Sequence, residues 1–353
     1  MRRPTTYPRK AWLAALTALL LTSCSLMTDD RRDCPTCYNP LHVTLKYDYN
    51  MHGELFNSQV QQATVYVTDA QTGRIVARDE ASNTPQSQPL RSHSFAFNFE
   101  DLPEGDYRLY ATCRSISSDI VAAPTLNIGD DITTLTTTIP RADAPDANGR
   151  YAVPAQELDT LWQGTDAQPL HLEPYTAAFD TISLVRITKN LSIMLMQTQN
   201  PTDCQADDYD VRIVAPDDGR IGYDNRSLTT PSLLYTPYAQ WTTETYNDEE
   251  TLTARTAHYD LSFARLVSHD LSADNARLQI VHRADQHTVL DIDLVYYLSL
   301  ARSAAGRTYP IQEFLDREDD YRLDIILSGN EWQYMNLSIS VLSWSLRIQN
   351  EKL

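Results

Sequence analysis

The sequence predicts an all-β protein made of two β-sandwich domains in tandem, with a short helix in the second domain. Three observations support this fold class. Apolar and polar residues alternate in many short runs, which is the period-2 signature of strands with one buried face. The chain contains 20 tyrosines but only 10 glycines, and tyrosine favours strands. Its 353 residues are enough for two domains, each with its own core.

The first predicted sandwich covers residues 41–150. The alternation begins with Leu41, Val43 and Leu45 and returns in later runs, each of which predicts a strand. Pro103 and Gly105 form a corner before the last of these runs. The predicted strands span residues 41–47, 63–67, 74–78, 95–99 and 107–111.

The second predicted sandwich covers residues 151–353. We place the boundary near residue 150 because residues 141–157 are rich in Ala, Pro, Asp, Asn and Gly. Part of this stretch mimics a calcium loop, but aligning Gly149 with the loop glycine puts Ala144 and Ala155 at ligand positions. An acidic linker is therefore the favoured interpretation.

The pattern within the second domain also favours strands. The one predicted helix covers residues 310–319, where Pro310 opens a segment in which Ile311, Phe314 and Leu315 share a face. Many short strands and little helix are typical of a sandwich rather than an α/β sheet. The predicted strands lie near residues 181–197, 209–214, 232–236, 277–282, 288–298, 321–328 and 334–349.

Charge and motifs exclude several classes of function. The net charge of -18 repels phosphate backbones, so nucleic acid is excluded as a partner. The sequence has no G-x-S-x-G elbow, H-E-x-x-H helix or P-loop, and no cofactor is predicted. Acidic clusters at residues 248–250 and 318–320 could supply paired carboxylates, but solvated faces explain them better. We therefore predict that the chain is not an enzyme.

The cysteines and histidines predict no metal site. Cys34 and Cys37 form a CPTC motif, but it lies in a polar tether before a strand, so a structural disulfide is favoured over a redox role. Together with Cys113 and Cys204 they allow three full pairings, and the sequence does not choose among them. The eight histidines show no metal-ligand spacing.

Residues 1–23 are predicted to be an export signal. Basic residues lead into an apolar run at 11–21 that is too short to span a bilayer comfortably. The run ends in LTSC, which resembles the bacterial lipobox, so Cys24 is the predicted mature N-terminus and carries a covalent lipid. Residues 24–40 form the predicted tether, in which Asp29 and Asp30 resemble the surface-export signal of some outer-membrane lipoproteins.

The mature chain resembles the fimbrial anchor lipoproteins of the FimB-type family, minor subunits that tether type V fimbriae to the outer membrane. The order and spacing of ten short segments carry the resemblance. They are DCP (33–35), LKYDYN (45–50), VYVTD (65–69), LPEGDYRLYA (102–111), LWQG (161–164), LVRITKN (184–190), LLYTPY (233–238), ARL (264–266), EFLDREDDY (313–321) and WSLRIQNEKL (344–353). The resemblance implies two transthyretin-like sandwiches and assembly with pilin subunits through strand complementation. Cys37 departs from the family pattern, so no disulfide is carried over.

The resemblance implies a non-catalytic anchor that is lipidated at Cys24, exposed on the cell surface and bound to fimbrial shaft or accessory pilin subunits. In this fimbrial class the shaft subunits are thought to lose their first strand by proteolysis. An anchor cut there would lose its lipid, so we expect this chain to keep residues 41–47 and to end a fibre. A second hypothesis is a glycan-binding or adhesive lipoprotein, because Tyr and Trp can stack on sugars, although both are also ordinary strand residues.

The carboxy-terminal region is the predicted partner contact. Its apolar residues change phase part-way, which one regular strand does not permit, so a bulge or bend is predicted at the change. Two readings stay open: one half pairs with a partner subunit, or both halves close the protein's own second sheet. Leu337, Ile339 and Val341 lie on the first phase, and Leu342, Trp344, Leu346 and Ile348 lie on the second.

Overall fold

The computed structural model confirms the predicted all-β fold class. It describes residues 39–115, 121, 124–216, 219–228, 231–302, 309–329, 331–339 and 346–350. The first ten strands are β1 (Asn39–Lys46), β2 (Gln62–Asp69), β3 (Ile75–Ser82), β4 (Phe97–Leu102), β5 (Gly105–Arg114), β6 (Thr136–Thr138), β7 (Tyr151–Ala152), β8 (Leu161–Thr165), β9 (Leu170–Leu172) and β10 (Ala178–Arg186). The remaining strands are β11 (Thr188–Gln197), β12 (Tyr209–Ala215), β13 (Arg220–Gly222), β14 (Leu233–Tyr235), β15 (Ala239–Tyr246), β16 (Leu252–Ala264), β17 (Arg277–His282), β18 (Thr288–Asp293), β19 (Asp320–Ser328), β20 (Glu331–Ile339) and β21 (Leu346–Gln349).

The first sandwich is one hydrogen-bonded path in the order β3-β2-β5-β8-β10-β1-β4, with β9 paired to β5. Strand β10 changes partner along its length. Residues 178–183 pair with β1 in parallel, whereas residues 184–186 pair with β8 in antiparallel. Strand β10 therefore joins the two parts of the sheet, which enclose one apolar core.

Strand β1 lies inside this sheet and not at its edge. It pairs with β10 on one side and with β4 on the other. Leu41 and Val43 have no exposed surface, and Leu45 is buried as well, so the alternating pattern at residues 41–47 does mark one buried face. Removing β1 would open the core between two strands.

The second sandwich has a six-stranded sheet, β15-β16-β11-β19-β20-β21, and a five-stranded sheet, β18-β17-β12-β14-β7. The apolar faces of the two sheets form one core, to which β11 contributes Ile193 and β12 contributes Val211 and Ile213. The long hairpin β15–β16 was not predicted from the sequence, because threonines and charged residues interrupt its apolar alternation.

The predicted boundary near residue 150 does not coincide with the membership of the sheets. Strands β8, β9 and β10 follow residue 150 but belong to the first sandwich. Conversely, Ile139 precedes residue 150 but lies in the second core, whereas β7 and Val153 lie on the predicted side of the boundary. The stretch predicted as an acidic linker, residues 141–157, thus supplies an edge strand and the buried side chain of Val153 to the second sandwich. Composition marks an irregular segment, but it does not show which core that segment packs against.

Helices are short and few among the described residues. They are α1 (Phe56–Gln59), α2 (Leu294–Ser299) and α3 (Ile311–Arg317), with 3-10 turns at Pro89–Arg91, Ile132–Thr134, Ala206–Asp208, Ser272–Asp274 and Leu300–Arg302. Helix α3 confirms the core of the predicted helix at 310–319, and both Phe314 and Leu315 are buried. The predicted strand at 288–298 is wrong beyond Asp293, whose carboxylate accepts a hydrogen bond from the Tyr296 N–H at 2.8 Å and caps α2.

Gly164 permits the close approach of β8 to β10, and we expect Gly164→Ala to destabilise the first sandwich. An added Cβ would lie 2.6 Å from the Ile182 side chain and 2.7 Å from the Ser183 carbonyl oxygen. Overpacking of this kind costs about 1–3 kcal/mol, so the urea midpoint should fall. Gly105→Ala is the control, because its Cβ would make only ordinary contacts with the Tyr107 ring. Equal midpoints for the two variants would contradict this account.

Candidate partner-binding strands and the domain interface

Strand β21 is the outermost strand of the six-stranded sheet and pairs only with β20 among the described strands. The pairing is antiparallel and short. Leu346 lies opposite Leu337, and Ile348 lies opposite Met335. Both described parts of the predicted partner-binding segment therefore lie in the protein's own second sheet.

Burial differs sharply between these two strands. Leu337 has no exposed surface and Ile339 is 4% exposed, so both belong to the second core. Leu346 and Ile348 are only partly buried and pack against the rim of that core. On the outer face, the Arg347 guanidinium lies 4.4 Å from the centroid of the Tyr334 ring. Strand β21 is consequently held by fewer buried contacts than β20.

The predicted change of phase, between Val341 and Leu342, lies outside the described residues. Leu337 and Ile339 of β20 and Leu346 and Ile348 of β21 contact the same core. The other predicted partner-binding residues lie outside the described residues: Val341, Leu342 and Trp344. The binding of a partner subunit by these strands stays a prediction.

Two of the cysteines are buried free thiols. Cys113 lies in the core of the first sandwich and Cys204 in the core of the second, so they are not paired with each other. Burial raises the pKa of the Cys113 thiol and raises that of Cys204 to about 11, which disfavours the reactive thiolate. Cys34 and Cys37, and the lipidation residue Cys24, lie outside the described residues.

One acidic cluster is buried where the sequence predicts a solvated face. Residues 248–250 are exposed in the turn between β15 and β16, as predicted. In the second cluster, Glu318 is 1% exposed and Asp319 is 9% exposed, so the prediction is wrong there. The reason is tertiary: both residues lie where α3 and the start of β19 meet the first sandwich.

Lys189 is the counter-charge of this buried cluster. Its Nζ donates to Asp319 Oδ1 at 2.6 Å and to the Asp316 carbonyl oxygen at 2.8 Å, and the side chain is 1% exposed. The Asp316 carboxylate accepts two hydrogen bonds from Arg265, at 2.5 and 2.8 Å. A buried lysine requires such pairing, because an isolated ammonium is costly to desolvate.

Tyr47 links this cluster to the first sandwich. It follows β1, has no exposed surface, and donates its hydroxyl hydrogen to the Asp319 carboxylate. Burial raises the pKa of the Tyr47 hydroxyl, and the negative charge of Asp319 raises it further. The phenol therefore stays protonated and remains a donor. This network was not predicted from the sequence, although Tyr47, Lys189 and Asp319 all lie in segments that carry the family resemblance.

A separate surface feature is an exposed aromatic pair on the hairpin β15–β16. The Trp241 ring is 43% exposed and stacks on His258 with centroids 4.9 Å apart and planes 2° apart. Thr243 Oγ1 lies 2.8 Å from His258 Nε2.

Within the described part of the chain, no group of three or more His, Cys, Asp or Glu side chains is placed to hold a metal ion. No helix there is long and apolar enough to cross a membrane.

A family model of fimbrillin-A associated anchor proteins Mfa1 and Mfa2 matches residues 31–350. The chain belongs to this family. The match confirms the predicted resemblance to fimbrial anchor proteins and supports a fimbria-associated or adhesive role at the cell surface. Curated protein sequences contain no match.

Several solved structures of bacterial proteins share the fold. A putative adhesin from Bacteroides thetaiotaomicron is 23% identical with a TM-score of 0.72, covering 89% of this chain and 99% of that chain. A second protein of that organism, described as a putative polysaccharide binding protein, is 25% identical with a TM-score of 0.68, covering 89% and 100%. The fimbrial anchor protein Mfa2 from Porphyromonas gingivalis is 12% identical with a TM-score of 0.61, covering 88% and 99%.

Proposed function

We propose that this protein is a non-catalytic, lipid-anchored outer-membrane protein that ends a type V fimbria at the cell surface. The observation that carries the proposal is the family match, which spans both sandwiches. The lipid on Cys24 provides the membrane attachment, and the carboxy-terminal strand contacts a pilin subunit. The 15 residue steps from Cys24 to Asn39 reach at most about 54 Å, which limits how far the first sandwich can lie from the membrane.

Replacing the lipidated residue tests the attachment. We expect Cys24→Ala to leave a folded protein that is released from the membrane, because no other attachment is proposed. Cell fractionation followed by immunoblotting measures the released share, and Ser25→Ala is the matched control that keeps the lipid site. Retention of Cys24→Ala in the outer membrane at the wild-type level would contradict the proposal.

We propose that the anchor keeps strand β1, so that it ends the fibre. Strand β1 fills the space between β4 and β10 with its own residues, and Leu41 and Val43 complete the first core. A partner strand could enter this position only by displacing β1. We therefore place the contact with the fimbria on the carboxy-terminal side of the chain.

Strand β21 is the proposed donor to the partner. Its aliphatic residues Leu346 and Ile348 are only partly buried, so its release exposes little apolar surface. In the partner, main-chain hydrogen bonds would give affinity, and these alternate side chains would give specificity. Residues Leu337 and Ile339 would stay behind in the protein's own core.

A reversible crosslink tests the release of β21. Asn336 and Arg347 lie opposite each other on the outer face of β20 and β21, at a spacing that suits a disulfide. We expect the double variant Asn336→Cys with Arg347→Cys to shed its fimbriae when oxidised and to retain them when reduced. Electron microscopy of cells measures the retained fimbriae.

Asn336→Cys alone is the control for the crosslink, since it changes the same face without joining the strands. The reduced double variant also shows whether the substitutions disturb folding. If the oxidised double variant retains fimbriae as the wild type does, β21 stays in its own sheet and the partner contact lies elsewhere.

A second candidate function is the binding of a glycan at the exposed Trp241–His258 pair. An exposed, flat aromatic ring can stack on a sugar, and polar groups surround this one. Co-purification separates the two functions, because an anchor should bring down fimbrial subunits. If the protein is an anchor, we expect Trp241→Ala to keep those subunits bound. If the wild type binds a glycan and Trp241→Ala does not, the second function is supported.

A further inference from the structure

We infer that contacts between residues 47–49 and residues 317–319 form a clamp that carries tension from the first strand into the second sandwich. The inference rests on the proposed function only in assuming that tension enters at the amino terminus. We call the set Tyr47, Asp48, Tyr49, Arg317 and Asp319 the strand clamp.

The strand clamp combines three different contacts. The Tyr47 hydroxyl donates to the Asp319 carboxylate. The Arg317 guanidinium lies 4.0 Å from the centroid of the Tyr49 ring and 5.0 Å from that of Tyr309. Arg317 also donates to the Asp48 carbonyl oxygen at 3.5 Å. Three consecutive residues after β1 are thus attached to one short segment of the second sandwich.

That segment leads directly into the centre of the six-stranded sheet. Asp319 immediately precedes β19, and its carbonyl oxygen accepts a hydrogen bond from the Asn190 N–H at 2.9 Å. Lys189 on β11 binds the Asp319 carboxylate at 2.6 Å. Strands β11 and β19 then pair in parallel from Asn190 to Gln197. The strand clamp is therefore attached to the two central strands.

The direction of the force gives these contacts their role. Tension at the amino terminus pulls β1 along its own axis, against its pairing with β10 and β4. The strand clamp lies at the far end of β1 and opposes the same sliding. Strand β10 continues through Ile187 into β11. Force therefore reaches β11 in two ways, through the pairing of β1 with β10 and through the strand clamp. It does not pass through strands β2, β3 and β5.

Stability alone does not explain a buried charged cluster at this place. A well-packed apolar replacement of a buried ion pair is often neutral or stabilising. A directional network, in contrast, resists sliding at a defined point, because its hydrogen bonds lengthen as soon as β1 moves. A mechanical role therefore explains why the charged residues lie at the end of the strand that is pulled.

Constant-force experiments on single molecules test the clamp. The mature chain is held at residue 24, with a handle in place of the lipid, and at Glu249 in the exposed turn between β15 and β16, so that the weakly held strand β21 carries no force. We expect Tyr47→Phe, which keeps the ring beside Trp162, to shorten the lifetime under force about tenfold, as loss of one hydrogen bond to a charged group would. Arg317→Met, which removes the contacts with the Tyr49 and Tyr309 rings and with the Asp48 carbonyl oxygen, should also shorten the lifetime.

Two controls distinguish the clamp from ordinary stabilisation. Tyr259→Phe removes a buried hydroxyl that bonds to the Ala206 carbonyl oxygen within the second sandwich, away from β1. Moving the first handle to Gln71, in the exposed turn between β2 and β3, leaves β1 unpulled. We expect Tyr47→Phe to matter only when the force enters at residue 24.

The inference is overturned if Tyr47→Phe has the wild-type lifetime, shortens it equally in both pulling geometries, or acts no more strongly than Tyr259→Phe. These results are independent of the anchoring proposal. Release of Cys24→Ala from the membrane is measured in cells, whereas the lifetimes are measured on purified protein without lipid. Either proposal can therefore fail while the other stands.

Discussion

The buried pair of Lys189 and Asp319 lies in the second sandwich, at the point where it meets the end of β1 from the first sandwich. Lys189 lies at the start of β11, Asp319 precedes β19, and Tyr47 brings the end of β1 to the same carboxylate. Since a lysine this deeply buried needs its partners, the relative positions of these strands follow from the pair. The parallel register of β11 and β19 begins one residue further on.

Strand β10 gives the junction its second connection. Its first part pairs with β1, its last residues pair with β8, and the chain then enters β11 after Ile187 alone. The close approach of β8 and β10 requires a residue without a side chain, and Gly164 occupies that position. The first sandwich is therefore joined to the second by a continuous backbone as well as by the hydrogen bond from Tyr47 to Asp319.

The two ends of the described chain differ in how firmly they are held. At the amino-terminal end, β1 is central in its sheet and its core-facing residues are buried. At the carboxy-terminal end, β21 is a four-residue edge strand whose aliphatic side chains are half-buried. This difference would suit a protein that is attached at its amino-terminal end and binds a partner at its carboxy-terminal end, because the outer strand can exchange partners at low cost.

Much of the architecture was predictable because strands with one buried face show period-2 alternation. That pattern located β1, β12 and β17. Helix α2 was missed because its cap at Asp293 is a single local contact at the end of an apolar run. For the candidate site, the alternation named Leu337 and Ile348, but it did not show that both contact one core.

The sequence by itself determined the fold class, the family and many of the strands, since these depend on local periodicity and on the order of short segments. Only the tertiary structure decided the rest. It assigned β8, β9 and β10 to the first sandwich, buried Asp319 against Lys189, and placed Tyr47 beside them. The two side-chain contacts join residues more than a hundred positions apart, and the burial of a charge depends on the partner that such a contact supplies.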